Sequence, residues 1–258
     1  MAEEQNNDTK TDGVTRRDFL KNSGLVVGGV VGGGLLGGLI TNTFMDDGQS
    51  VSPTADNGDD PQDAEQLTKA RMFFKRAEDF RVLSAAVERI FPEDDIGPGA
   101  ISLAIPYFID KQLAGEYGFN SREYMEGPFF EGAPTQGPQT GMRRREVFLY
   151  GVSKLQEMAQ SEHDESFFDL EGEAQDEILG AFEQGDVDMT GVTSDAFFAM
   201  LRSSTLEGAY SDPVYGGNLN MDGWRMKQYP GGQMAFFDVI ESEEFVEMEP
   251  VSLHAHHT

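Results

Sequence analysis

Cysteine is absent from this chain of 258 residues. That excludes disulfides, thiolate-held iron–sulfur clusters, c-type haem attachment and a cysteine nucleophile. A domain of this size can bury enough surface to dispense with disulfides, even outside the cytoplasm. Positive charge is scarce: 19 Lys and Arg stand against 46 Asp and Glu, for a net charge of −27. Such an excess argues against nucleic acid as a partner, since a binder needs a basic face for the phosphates. Alternation of strand type never runs beyond a few residues, and there is no internal repeat. Beyond residue 45 no stretch is long and apolar enough to cross a bilayer.

What the chain has in quantity is acid and aromatic side chains. Its 19 Phe, 12 Met and 7 Tyr supply more core material than a disordered acidic chain carries. The acids are scattered over the whole sequence, which in dilute buffer loosens a compact state by self-repulsion. We read the surface as an adaptation to high salt, where screening shortens such repulsion to about 3 Å at 1 M.

The N-terminus carries an address. Thr15, Arg16, Arg17, Asp18, Phe19, Leu20 and Lys21 stand in one window, the pattern read by the twin-arginine exporter of folded proteins. A soft apolar stretch, 25–40, follows with glycine at 28, 29, 32, 33, 34, 37 and 38. Each glycine weakens a helix by about 1 kcal/mol relative to alanine, and the stretch falls short of the ~20 residues that span a bilayer. Residues 1–45 are therefore expected to be an export signal, either cleaved or kept as an anchor at the outer face of the cytoplasmic membrane. Residues 46–66, with Asp46, Asp47, Asp59, Asp60, Pro61 and Asp63, read as a flexible acidic linker.

From 67 to 232 the pattern predicts a mostly α domain, a small irregular bundle with long ordered loops. Phe80, Leu83, Val87, Ile90 and Phe91 form one buried stripe that Pro92 stops. A second helix is expected over about 101–113, bent by Pro106 and closed at Gly115. Residues 116–141, rich in Gly, Pro and aromatics, read as an ordered loop. Further helices are expected over 143–159, 173–182 (ended by Gly185) and 194–207. An acidic tail, 233–258, has no assignable element.

Several clusters can be weighed for chemistry. In Asp212-Pro213-Val214-Tyr215-Gly216-Gly217-Asn218 adjacent glycines could cradle an anion, but neither the spacing nor a neighbouring lysine supports it. The segment reads better as a rigid turn: Pro213 fixes its own φ, Gly216 and Gly217 permit positive φ, and Asn218 bonds locally. Such a turn either seals the domain or presents Tyr215 and Trp224 to a partner, since such residues anchor interfaces. Glu93, Asp94 and Asp95 lack the spacing of a calcium loop and read as a solvated cap. His254, His256 and His257 lie at a chain end, and His163 reads as a surface residue. Ser203, Ser204 and Thr205 have no strained elbow around them and form no triad signature.

Three segments together resemble a family. They are Arg89-Ile90-Phe91-Pro92-Glu93-Asp94-Asp95 continuing to Tyr107 through Gly115, then Glu207-Gly208 with Asp212 through Asn218, then Gly223-Trp224 leading to Tyr229-Pro230-Gly231. In this order, behind a twin-arginine leader, they resemble the small subunit (subunit 3, or gamma) of gluconate 2-dehydrogenase. The resemblance implies an accessory subunit with no catalytic, cofactor or metal residue of its own. Its implied partners are an FAD-dependent large subunit of the glucose–methanol–choline type, the twin-arginine translocase, and a haem-bearing cytochrome or other membrane carrier. Two other classes stay open: an exported helical binding module, and an enzyme using a metal on acidic side chains.

Overall fold

Helix α1, Ala77–Ile90, lies at the middle of the domain and touches four other helices. Glu78 and Asp79 in its first turn and Arg89 in its last complement the helix dipole. The expected stripe is buried at Phe80, Leu83, Val87 and Ile90, and Val82, Ala85 and Ala86 are buried too, because partners cover this helix on more than one side. The computed structural model describes residues 70–256 except 131, 134, 135, 137, 138, 238 and 245. The segments expected to be an export signal and a linker, 1–45 and 46–66, lie outside the described residues.

Around α1 stand α2 (Ile105–Ala114), α3 (Glu116–Phe119), α4 (Arg144–His163), α5 (Gly172–Gln184), α6 (Ser194–Tyr210) and α7 (Asp222–Met226). No strand occurs among the described residues, only two isolated bridges. Phenylalanine knits the bundle. Phe148, Phe182 and Phe197 bring α4, α5 and α6 together edge to face, with ring centres 6.0 and 5.7 Å apart. Truncating one such buried ring costs about 3–5 kcal/mol.

Four expectations need correction. The second helix does not start near 101 and bend at Pro106. Residues 100–104 fold as turns, Ala104 sits at φ 57°, and Pro106 falls in the first turn of α2, where a missing N–H costs nothing. The segment 116–141 begins with a short helix, α3, closed by Asn120 at φ 54°. Two of its aromatics are pinned by α4: the Arg144 guanidinium lies 4.4 Å from the Tyr117 ring and that of Arg145 lies 4.0 Å from Phe119. Helices α4 and α6 run to His163 and Tyr210, three or four residues past their expected ends. Finally, residues 249–253 of the acidic tail return to the domain. Gly185, in contrast, caps α5 as expected, at φ 79°.

The chain enters α1 through a clamp. The carboxylate of Asp110, buried on α2, accepts the backbone N–H groups of Met72, Phe73 (3.1 Å) and Phe74 (2.7 Å). At the far end of α1, Arg89 grips Asp176 of α5 with two bonds of 2.7 and 2.6 Å. Hydrogen bonding to Asp176 raises the Arg89 pKa above its ordinary value.

Candidate functional site

The segment following α6 is a chain of turns, each held by a named side chain. Asp212 opens it: its Oδ1 accepts the Val214 N–H at 3.0 Å, which starts a 3-10 turn over Pro213–Tyr215. Gly216 closes that turn at φ 94°, a conformation that costs a side-chain-bearing residue dearly. The following glycine is needed for space, since a Cβ on Gly217 would stand 2.4 Å from the Gly208 carbonyl oxygen of α6. Asn218, fully buried at φ 49°, donates from Nδ2 to the Ser211 carbonyl (2.8 Å) and accepts the Gly223 N–H on Oδ1 (2.8 Å). One amide thus ties the turn to α7.

Trp224 and Tyr215 part company. Trp224 is only 5% exposed. Its indole N–H donates to the Tyr210 carbonyl at 2.8 Å, and its ring meets Tyr229 edge-on at 5.3 Å. The expectation that Trp224 is presented to a partner does not fit this placement. Tyr215 is 54% exposed beside exposed Val214, so it remains available on the surface.

The same carboxylate that starts the turn also receives the C-terminal segment. Asp212 accepts the Ser252 hydroxyl on Oδ1 at 2.7 Å and the Leu253 N–H on Oδ2 at 2.8 Å. Alongside, Gly232 N–H donates to the Val251 carbonyl (2.7 Å) and Val251 N–H to the Pro230 carbonyl (3.1 Å). Burial alone would push the Asp212 carboxyl up. The Leu253 and Val214 N–H groups, the Ser252 hydroxyl and the nearby His254 outweigh it and hold the pKa below the ordinary value. Arg225 adds ion pairs to Asp222 (3.0 Å) and to Glu249 (3.4 Å) of the returning tail.

Sequence reasoning found Asp212 through Asn218 but missed Ser252 and Leu253, which lie forty residues away and carry no periodic signal. It also placed no lysine near the turn, yet Lys111 of α2 lies against Gly216, 2.8 Å from where a Cβ would be. Desolvation lowers the pKa of that lysine.

The other candidates stand apart from this site. Asp94 accepts the Ile96 and Gly97 N–H groups (2.9 and 3.3 Å) within its own turn, with Glu93 and Asp95 exposed beside it. His163 ends α4 on the surface, and His254 is exposed; His257 lies outside the described residues. Ser203 bonds Glu207 and Thr205 bonds the Leu201 carbonyl, each one turn along α6, while Ser204 meets the Tyr117 hydroxyl at 3.3 Å. Among the described residues no three His, Asp or Glu side chains gather as a metal site. An open cleft of about 280 Å³ lies beside α3, lined by Tyr124, Met125, Phe129, Met142 and Met200. No described helix is long and apolar enough to cross a membrane.

The family model described as gluconate 2-dehydrogenase subunit 3 matches residues 77–231. The match runs from the first residue of α1 to the glycine that bridges Val251, so it covers the whole bundle and the turn segment. No curated protein and no solved structure matches the chain.

Proposed function

This chain belongs to the gluconate 2-dehydrogenase subunit 3 family, and on that premise we propose that it is the non-catalytic small subunit of an exported, FAD-dependent sugar-acid or alcohol dehydrogenase. The family match over 77–231 carries the reading. It makes the chain an accessory subunit that works with a dehydrogenase catalytic subunit.

The finer proposal concerns division of labour. FAD and substrate oxidation belong to a glucose–methanol–choline type large subunit, and haem to a cytochrome or equivalent carrier downstream. This chain docks on the flavoprotein once that partner has folded inside the cell. Arg16 and Arg17 then serve as the export address for both chains, and the bundle stays on as a cover at the outer face of the membrane. Residues 25–45 serve as tether where the leader is retained. Two features of the sequence support the arrangement: a folded-export address at 15–21, and the lack of any cysteine for a redox centre.

The experiment is to express the flavoprotein with this chain, without it, and with its Arg16→Lys, Arg17→Lys variant. Export and dye-linked dehydrogenase activity should appear only with the unaltered chain. Equal export and activity in all three cultures would defeat the reading.

A further inference from the structure

The described residues between 233 and 248 form a loop that is tied at its base and exposes several apolar side chains. The base is the exchange between Gly232, Val251 and Pro230, reinforced by Gln233 Nε2, which donates to the Pro230 carbonyl at 3.0 Å. Gln228 reaches Glu247 at 3.0 Å from the side. Asp212, through Ser252 and Leu253, holds the segment that leaves the loop. Between these ties Phe237 is 85% and Ile240 74% exposed, with Met234, Phe236 and Val246 also open to solvent. The Val239 and Ile240 N–H groups both donate to the Phe236 carbonyl (3.1 and 2.9 Å), so Phe236, Phe237 and Ile240 sit on one short turn.

We propose that this loop is the arm by which the chain grips the catalytic subunit, its Phe236, Phe237 and Ile240 filling an apolar groove on that partner whose rim carries Lys or Arg. The proposal rests on the subunit reading above. Charge selects the occupant. Glu241, Glu243 and Glu244 flank the apolar turn, are exposed, and form no ion pair among the described residues. A second copy of this chain would bring another −27 against them, and anionic headgroups would repel them in the same way. A basic-rimmed groove complements both the acids and the rings. Tying the loop at its base removes part of the ordering cost that a free tail would meet on docking. The arm begins just beyond residue 231, where the family match ends.

The test uses the full chain co-expressed with its flavoprotein, with flavin absorbance recovered on the tagged small subunit as the measure. The variant Phe236→Ser, Phe237→Ser, Ile240→Ser changes only exposed side chains, so its circular dichroism and thermal midpoint should match the unaltered chain. Its recovery of flavoprotein should fall by at least about tenfold, the loss typical when aromatic anchors are removed from an interface. Glu241→Lys, Glu243→Lys, Glu244→Lys should also lower recovery, and more at low salt than at high. Undiminished recovery with the serine variant overturns the arm. So does arm-dependent dimerisation of the chain alone, or arm-dependent binding to phosphatidylglycerol vesicles. If the unaltered chain recovers no flavoprotein, the subunit reading itself fails and the arm with it.

Discussion

Asp212 and Leu253 are joined by a 2.8 Å hydrogen bond from backbone N–H to carboxylate, across forty-one positions of sequence. With the Ser252 hydroxyl on the other oxygen, this contact makes residues 252–253 part of the domain and sets where the loop between 233 and 248 emerges. Hydrogen bonds to a charged group contribute about 1.5–3 kcal/mol. Asp212→Ala should therefore free residues 249–254, seen as faster amide exchange there and as new protease cleavage within the loop. Unchanged exchange at Val251 and Leu253 would contradict the latch.

The same carboxylate gives the latch a pH dependence. Its folded pKa lies below the ordinary 3.8, so the latch stabilises fully above that value and is lost as pH falls through the lower folded one. Glu88 works in the opposite sense. Burial raises its pKa above the ordinary 4.5, although its Oε2 accepts the Ile101 N–H at 2.8 Å. Stability from this group is greatest below 4.5 and declines as pH rises through the raised value. Glu88→Gln should flatten that decline in urea titrations across the mildly acidic range, while Asp212→Asn should leave it in place.

Asp110 supplies a third expectation. Its carboxylate satisfies three consecutive backbone donors at 72–74, and leaving buried donors unpaired costs about 1–3 kcal/mol each. Asp110→Ala should lower the denaturation free energy by about 3 kcal/mol or more. Amide protection at Phe73 and Phe74 should be lost. Full protection at both in the variant would show that the clamp is incidental.

Two glycines should respond with opposite signs. Gly217→Ala puts a methyl group 2.4 Å from the Gly208 carbonyl oxygen and must disturb the seam between α6 and the turn. Gly180, inside α5, faces only the end of Gln184 at 3.8 Å, so Gly180→Ala should stabilise by about 0.5–1 kcal/mol through helix propensity. Thermal midpoints of the two variants, moving down and up respectively, check both statements.

The sequence showed its helices where the reason is local. The spacing of Phe80, Leu83, Val87 and Ile90 with Pro92 behind it announces α1, and Gly185 announces the end of α5. It misled where local signals have two readings: Pro106 can bend a helix or begin one, and only the turn at 100–104 decides. Within the site, Asp212 through Asn218 stood out because turn chemistry is written in neighbouring residues. The partners that complete it, Ser252, Leu253 and Lys111, come from other parts of the chain and leave no spacing to detect. Trp224 shows a related limit, since its composition suits an interface anchor and a core residue equally, and only burial separates the two.

The central claim is that redox chemistry resides on the partner and none on this chain. The direct measurement is to purify the native complex, separate its subunits under mild conditions, and record the visible spectrum and dehydrogenase turnover of each. The account predicts flavin absorbance and turnover with the large subunit, and neither with this one. Bound flavin or substrate oxidation in the isolated 258-residue chain would contradict it.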